Sequence, residues 1–116
     1  MHEMVVVKQV LSLAIGYAQE NNAKKVDKIY LNHGELRDYI DELVQRYFDY
    51  ISKGTIAEGA KIILNKVPAF VECECGALTK VERGNMFDLV CPQCGSSKLK
   101  LATGLEFLIT GIEISA

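Results

Sequence analysis

Cys73-Glu74-Cys75-Gly76 and Cys91-Pro92-Gln93-Cys94-Gly95 divide the chain, and their spacing sets its architecture. The pattern is Cys-x-Cys, fifteen intervening residues, then Cys-x-x-Cys. In a reducing compartment such pairs point to a metal before a disulfide. Pro92 stiffens the second turn, and Gly95 lets backbone amides aim at thiolate sulfur. Four thiolates at Cys73, Cys75, Cys91 and Cys94 suit a tetrahedral Zn²⁺ with arms of about 2.3 Å. A site with all four positions filled is structural and not catalytic. Two other readings compete with it. Cys73 stands spare while water or a carboxylate completes the site, or Cys91 and Cys94 form a redox pair. The lack of a thioredoxin-like strand and helix around them opposes the redox reading.

On either side of this segment the periodicity is regular. Met4, Val7, Leu11, Ala14, Ile15 and Ala18 recur at helical spacing, and Glu20-Asn21-Asn22 ends that helix. Val26 to His33 alternates as a strand, and Gly34 turns the chain. A second helix is expected with Asp38 as N-cap and Asp41 three residues on, its apolar stripe running from Tyr39 and Ile40 to Phe48 and Ile51. Lys53-Gly54 stops it. Thr55 to Ala60 is a loop, Lys61 to Val67 a strand closed by Pro68, and Leu105 to Ile114 a long final strand. The order helix, strand, helix, strand, cysteine insert, strand predicts an α+β fold interrupted by a loop-rich zinc-ribbon module. The expected boundaries are 1–68 and 100–116 for the α+β domain and 69–99 for the zinc-binding domain.

Composition excludes several classes. The formal net charge is −2, and the 13 Lys and Arg are scattered, which argues against a nucleic-acid partner. No apolar run approaches the roughly eighteen residues of a membrane span. Acidic and polar residues interrupt the opening stretch, so it does not read as a secretory signal and a cytoplasmic location is expected. No nucleophile stands beside a base and no glycine loop suits phosphate. Glu35, Asp41 and Glu42 read as turn and helix-surface acids, so no enzyme is expected.

Chemistry returns at the amino terminus, Met1-His2-Glu3. A large second residue blocks removal of the initiator methionine. The Met1 amine, the His2 amide and the His2 imidazole can then chelate one ion, with the amide or carboxylate of Glu3 as a fourth donor. A planar, nitrogen-rich set fits Ni²⁺ or Cu²⁺ better than zinc. The first amides of a helix have no partner four residues back, although the helix dipole opposes a cation there. The competing reading is a solvated terminal histidine.

These residues resemble the HypA/HybF hydrogenase maturation family of nickel metallochaperones. The resemblance is carried by Met1-His2-Glu3, Gly34-Glu35-Leu36, Gly54-Thr55-Ile56-Ala57-Glu58-Gly59-Ala60 and the paired cysteines. It implies a mixed three-stranded sheet with two helices as the nickel domain, plus a zinc domain. It also implies Ni²⁺ as cargo held at Met1, His2 and Glu3, and Zn²⁺ held by all four cysteines. The implied partners are a nucleotide-hydrolysing nickel chaperone of the HypB type and the hydrogenase large subunit precursor. The chain departs from the family pattern in two places. Cys73 and Cys75 are separated by one residue instead of two, and His33 replaces an apolar or small residue. His33 reads either as a further nickel ligand or as a surface strand residue. Asp38 and Asp41 could approach the nickel from the start of the second helix.

Two rival functions remain in view. In an interaction adaptor, zinc would only shape a docking surface. A nucleic-acid-binding ribbon would need a basic face, and Lys80, Arg83, Lys98 and Lys100 are balanced by Glu72, Glu74, Glu82 and Asp88.

Overall fold

The structure, a computed structural model, describes residues 3–82 and 89–116. Met1 and His2, two of the three expected nickel residues, lie outside the described residues, as do Arg83 and Asp88. The elements run α1 (Glu3–Glu20), β1 (Lys25–Gly34), α2 (Asp41–Ile51), β2 (Lys61–Val67), β3 (Phe70–Cys73), β4 (Leu78–Lys80), β5 (Leu99–Thr103) and β6 (Phe107–Ser115). Among the described residues no helix is long and apolar enough to cross a membrane. The chain forms two compact units. The first comprises Met1–Asn32, Asp38–Asn65 and Leu108–Ala116, and the second His33–Arg37 and Lys66–Phe107.

In the first unit α1 buries Val7, Val10, Ala14 and Ala18, one face at helical spacing. Its end is a Schellman motif. Asn22 takes φ 54°, the Ala23 amide donates to the Ala18 carbonyl at 2.9 Å, and the Asn22 amide donates to Gln19 at 3.1 Å. Asparagine tolerates this left-handed conformation better than other side chains do. α2 packs against α1 and buries Val44 and Phe48 completely. Ile29 and Leu31 of β1 are likewise fully buried, whereas Tyr30 and Asn32 between them are half-buried, so one face of the strand is covered. Phe48 is the largest fully buried side chain. Phe48→Ala is expected to destabilise the protein by about 3–5 kcal/mol, read as a lower denaturant midpoint with little change in slope.

The first sheet has the order β2-β1-β6 and is mixed. β6 runs against β1, since the Lys24 amide donates to Ser115 and the Gly34 amide to Glu106. β2 runs with β1: Asn65 Nδ2 donates to Asn32 Oδ1 at 3.0 Å, and the Glu35 amide donates to Val67. Across the β1–β6 pair, the Tyr30 hydroxyl donates to the Glu113 carboxylate, which pushes the Tyr30 pKa up.

Three sequence expectations change. α2 begins at Asp41 with Ile40 in the N-cap position, so Asp38 lies outside the helix and is not its N-cap residue. His33 is not a surface residue. It is fully buried at the end of β1, edge-on to Phe107, with ring centroids 5.5 Å apart. The cysteine segment is also more than loop. It carries a second three-stranded sheet, β4-β3-β5, antiparallel throughout, with Glu72 opposite Leu78 and Lys100, and Cys73 opposite Leu99.

Candidate metal centre

The second sheet delivers the cysteines. Cys73 is the last residue of β3, and the tight turn after it is closed by the Gly76 amide donating to the Cys73 carbonyl at 2.8 Å. Gly76 takes φ 91°, a left-handed conformation that favours glycine. The Cys91 turn is built the same way: the Gly95 amide donates to the Cys91 carbonyl at 2.8 Å, with Gly95 at φ 74°. Two glycines, each one residue past a cysteine pair, therefore close two loops facing one another.

The four sulfurs converge. Cys73 Sγ lies 3.4 Å from Cys94 Sγ, Cys75 Sγ lies 3.6 Å from Cys91 Sγ, and all four fall within 4.8 Å of one another. A tetrahedron with metal–sulfur arms of about 2.3 Å has edges of about 3.8 Å, so the cluster fits one thiophilic dication. Cys73 and Cys91 are buried, and Cys75 and Cys94 are exposed. Cys73 is a member of the cluster despite the single residue that separates it from Cys75.

The loops differ in how they treat sulfur. The amides of Cys94 and Gln93 both point at the Cys91 sulfur and hold its pKa down to about 6, against the effect of burial. Cys73 receives the Cys75 amide, but burial and the nearby Cys94 thiol outweigh it and push its pKa up. Cys75 receives the Ala77 amide, and the crowding of Cys73 and Cys91 again raises its pKa. Each sulfur of the shorter turn thus receives one amide, whereas Cys91 receives two. Crowded thiols that resist ionisation together are what a bound dication deprotonates.

Beside this centre the described residues form a small hydrophobic cluster. Ala69, Val71 and Val81 are buried, with Leu36, Leu89 and Leu99 packed against them. Backbone bonds tie residues 34–36 into the same unit: Gly34 to Glu106, Glu35 to Val67 and Leu36 to Gly104.

Of the expected nickel residues, Glu3 alone is among those described. Its carboxylate is 4% exposed, and its Oε2 accepts the Ile40 amide at 2.9 Å. That bond holds the Glu3 carboxyl below its ordinary range, with the charge of Asp38 acting in the opposite direction. Sequence reasoning missed this contact. Its only local trace is an isoleucine in a position where a capping side chain is expected.

A family model described as "Hydrogenase/urease nickel incorporation, metallochaperone, hypA" matches residues 1–114. Among curated relatives, "Hydrogenase maturation factor HypA" of Aquifex aeolicus (strain VF5) is 33% identical over 115 residues, covering 98% of this chain and 97% of that one. The protein of the same name from Caldanaerobacter subterraneus subsp. tengcongensis is 35% identical over 116 residues, covering 98% and 99%. The structure is similar to "Solution structure of the Ni metallochaperone HypA from Helicobacter pylori", with a TM-score of 0.71 at 22% identity over 100% of this chain and 99% of that one. A second likeness, "Solution structure of HypA protein", has a TM-score of 0.76 at 22% identity over 98% and 96%. At that identity these two likenesses speak for the fold.

Proposed function

The chain belongs to the HypA family of hydrogenase/urease nickel-incorporation metallochaperones, and from that premise we propose that it binds one Ni²⁺ at its amino terminus and delivers it to the [NiFe] hydrogenase precursor. The family is one of metallochaperones and not of enzymes. The donors are the Met1 amine, the amide and imidazole of His2, and Glu3. In the same reading Cys73, Cys75, Cys91 and Cys94 hold a structural Zn²⁺. The protein works in the cytoplasm with a nucleotide-hydrolysing partner of the HypB type and the hydrogenase large subunit.

The observation that carries this reading is a family match that begins at residue 1 and runs through both the Met1-His2-Glu3 opening and the cysteine module. Donor chemistry supports the division of labour between two metals. Four soft thiolates favour tetrahedral zinc, whereas an amine, amides and an imidazole favour a planar nickel. A cargo site must also release its ion. Amine and imidazole donors titrate near pH 8 and 6.5 in model compounds, so proton competition weakens their hold on acidification. The four-thiolate site offers no open position and suits permanent occupancy.

Titration with Ni²⁺ of protein carrying an unmodified amino terminus tests the assignment. One nickel per chain is expected to bind, and His2→Ala is expected to abolish that site while zinc content stays at one per chain. Undiminished nickel affinity in His2→Ala would refute the amino-terminal site.

A further inference from the structure

The N-cap position of α2 is held by a residue that cannot cap it. Its N-cap residue, Ile40, has extended backbone (φ −91°, ψ 117°) and makes no side-chain cap bond. Isoleucine is among the poorest N-cap residues because it offers no acceptor. In a capping box, a glutamate three residues into the helix reaches back to the amide of the N-cap residue. Here that position is Leu43, which cannot accept. Glu3 supplies the missing acid from another helix: its Oε2 accepts the Ile40 amide at 2.9 Å, and its side chain is buried between the two helix starts. A carboxylate at this end of α2 also meets the positive end of the helix dipole. Glu3 is itself the first residue of α1, so one partly buried bond joins the starts of α1 and α2.

We infer that the Glu3 side chain is a strut between the two helices, a positioning residue that fixes the amino-terminal nickel donors by anchoring the first turn of α1 to the N-cap amide of α2. The inference rests on the nickel reading above for its functional half, since the group held in place is the set of nitrogen donors that precede and include Glu3. Its structural half stands on the Ile40 bond. Met1 and His2 directly precede Glu3 in the sequence, so the residue that carries the strut also continues into the proposed donor set. Less ordering is then left for the binding step, which raises affinity without adding a contact to the metal.

Gln and Ala at position 3 separate a strut from a ligand. The glutamine oxygen can still accept the Ile40 amide but is a poor metal donor, and alanine can do neither. In metal-free protein, exchange of the Ile40 amide is expected to rise about tenfold or more in Glu3→Ala and to remain close to wild type in Glu3→Gln. Nickel affinity is expected to follow the same order, falling about tenfold in Glu3→Ala and being largely restored in Glu3→Gln. Unchanged Ile40 exchange in Glu3→Ala would overturn the strut. So would a Glu3→Gln protein that keeps Ile40 protected yet loses nickel as fully as Glu3→Ala, since the carboxylate would then be acting as a donor. Failure of the nickel reading shows elsewhere, in His2→Ala, and leaves the metal-free exchange result untouched.

Discussion

Removing the metal from the four-cysteine centre, by chelation or by Cys91→Ser, is expected to erase the β4-β3-β5 sheet while α1 and α2 remain helical. Among the described residues, the core cluster of the second unit holds Val71, Val81 and Ala69, with Leu36, Leu89 and Leu99 packed against it. A buried valine contributes about 1.5–3 kcal/mol. Structural zinc in small metallodomains contributes about 10–16 kcal/mol. On these magnitudes a structural ion at the four cysteines contributes more to order than the described core cluster does. Cys91 is the most sensitive position because it is 1% exposed and two backbone amides, those of Cys94 and Gln93, converge on its sulfur. Amide exchange reads the outcome residue by residue. Protection should vanish across Phe70–Cys73 and Leu99–Thr103 and persist at Val7, Ala14 and Val44. Survival of protection in β3 and β5 after complete metal loss would mean that the sheet stands without the ion.

Gly34→Ala should be the most damaging methyl addition among the described glycines. A Cβ on Gly34 would lie 2.2 Å from the Gly104 carbonyl oxygen and 2.6 Å from the Glu106 nitrogen. Both are backbone atoms: the Gly104 oxygen accepts the Leu36 amide, and Glu106 is tied to Gly34 through its carbonyl, which accepts the Gly34 amide. No side-chain rotation relieves the clash, so the strands must separate. Overpacking of this kind costs about 3 kcal/mol at the upper end of its usual range, equivalent to a midpoint about 10 °C lower in a chain of this size. Gly16→Ala is the control, because a Cβ there meets nothing within 4 Å. It should leave the thermal midpoint unchanged or raise it slightly, as alanine is the better helix former. Equal midpoints for Gly34→Ala and wild type would show that the two segments are not in close contact.

The contrast between these positions shows what could be read in advance. Strong periodicity located α1, β1, β2 and β6 because each runs for seven residues or more, with buried residues in α1 and β1 and half-buried residues alternating with exposed ones along β2 and the start of β6. The convergence of the four cysteines was legible in their spacing alone. β3, β4 and β5 were not. They are three to five residues long and share their turns with the metal loops, so no alternation had room to develop. The start of α2 was misplaced for a different reason. Asp38 looked like a cap, but the acid that accepts the Ile40 amide stands at Glu3, 37 residues away in sequence, and no local window contains it. His33 was misread because a polar side chain in a strand reads as surface, whereas here it fills space at the end of β1 beside Phe107.

Magnetism and absorption of the nickel-loaded protein, compared before and after acetylation of the Met1 amine, bear most directly on how the cargo is held. A planar set of nitrogen donors makes d⁸ nickel four-coordinate and diamagnetic, and blocking the amine should abolish that species while one zinc per chain stays bound. Paramagnetic six-coordinate nickel, bound equally well by the acetylated chain, would contradict the amino-terminal site.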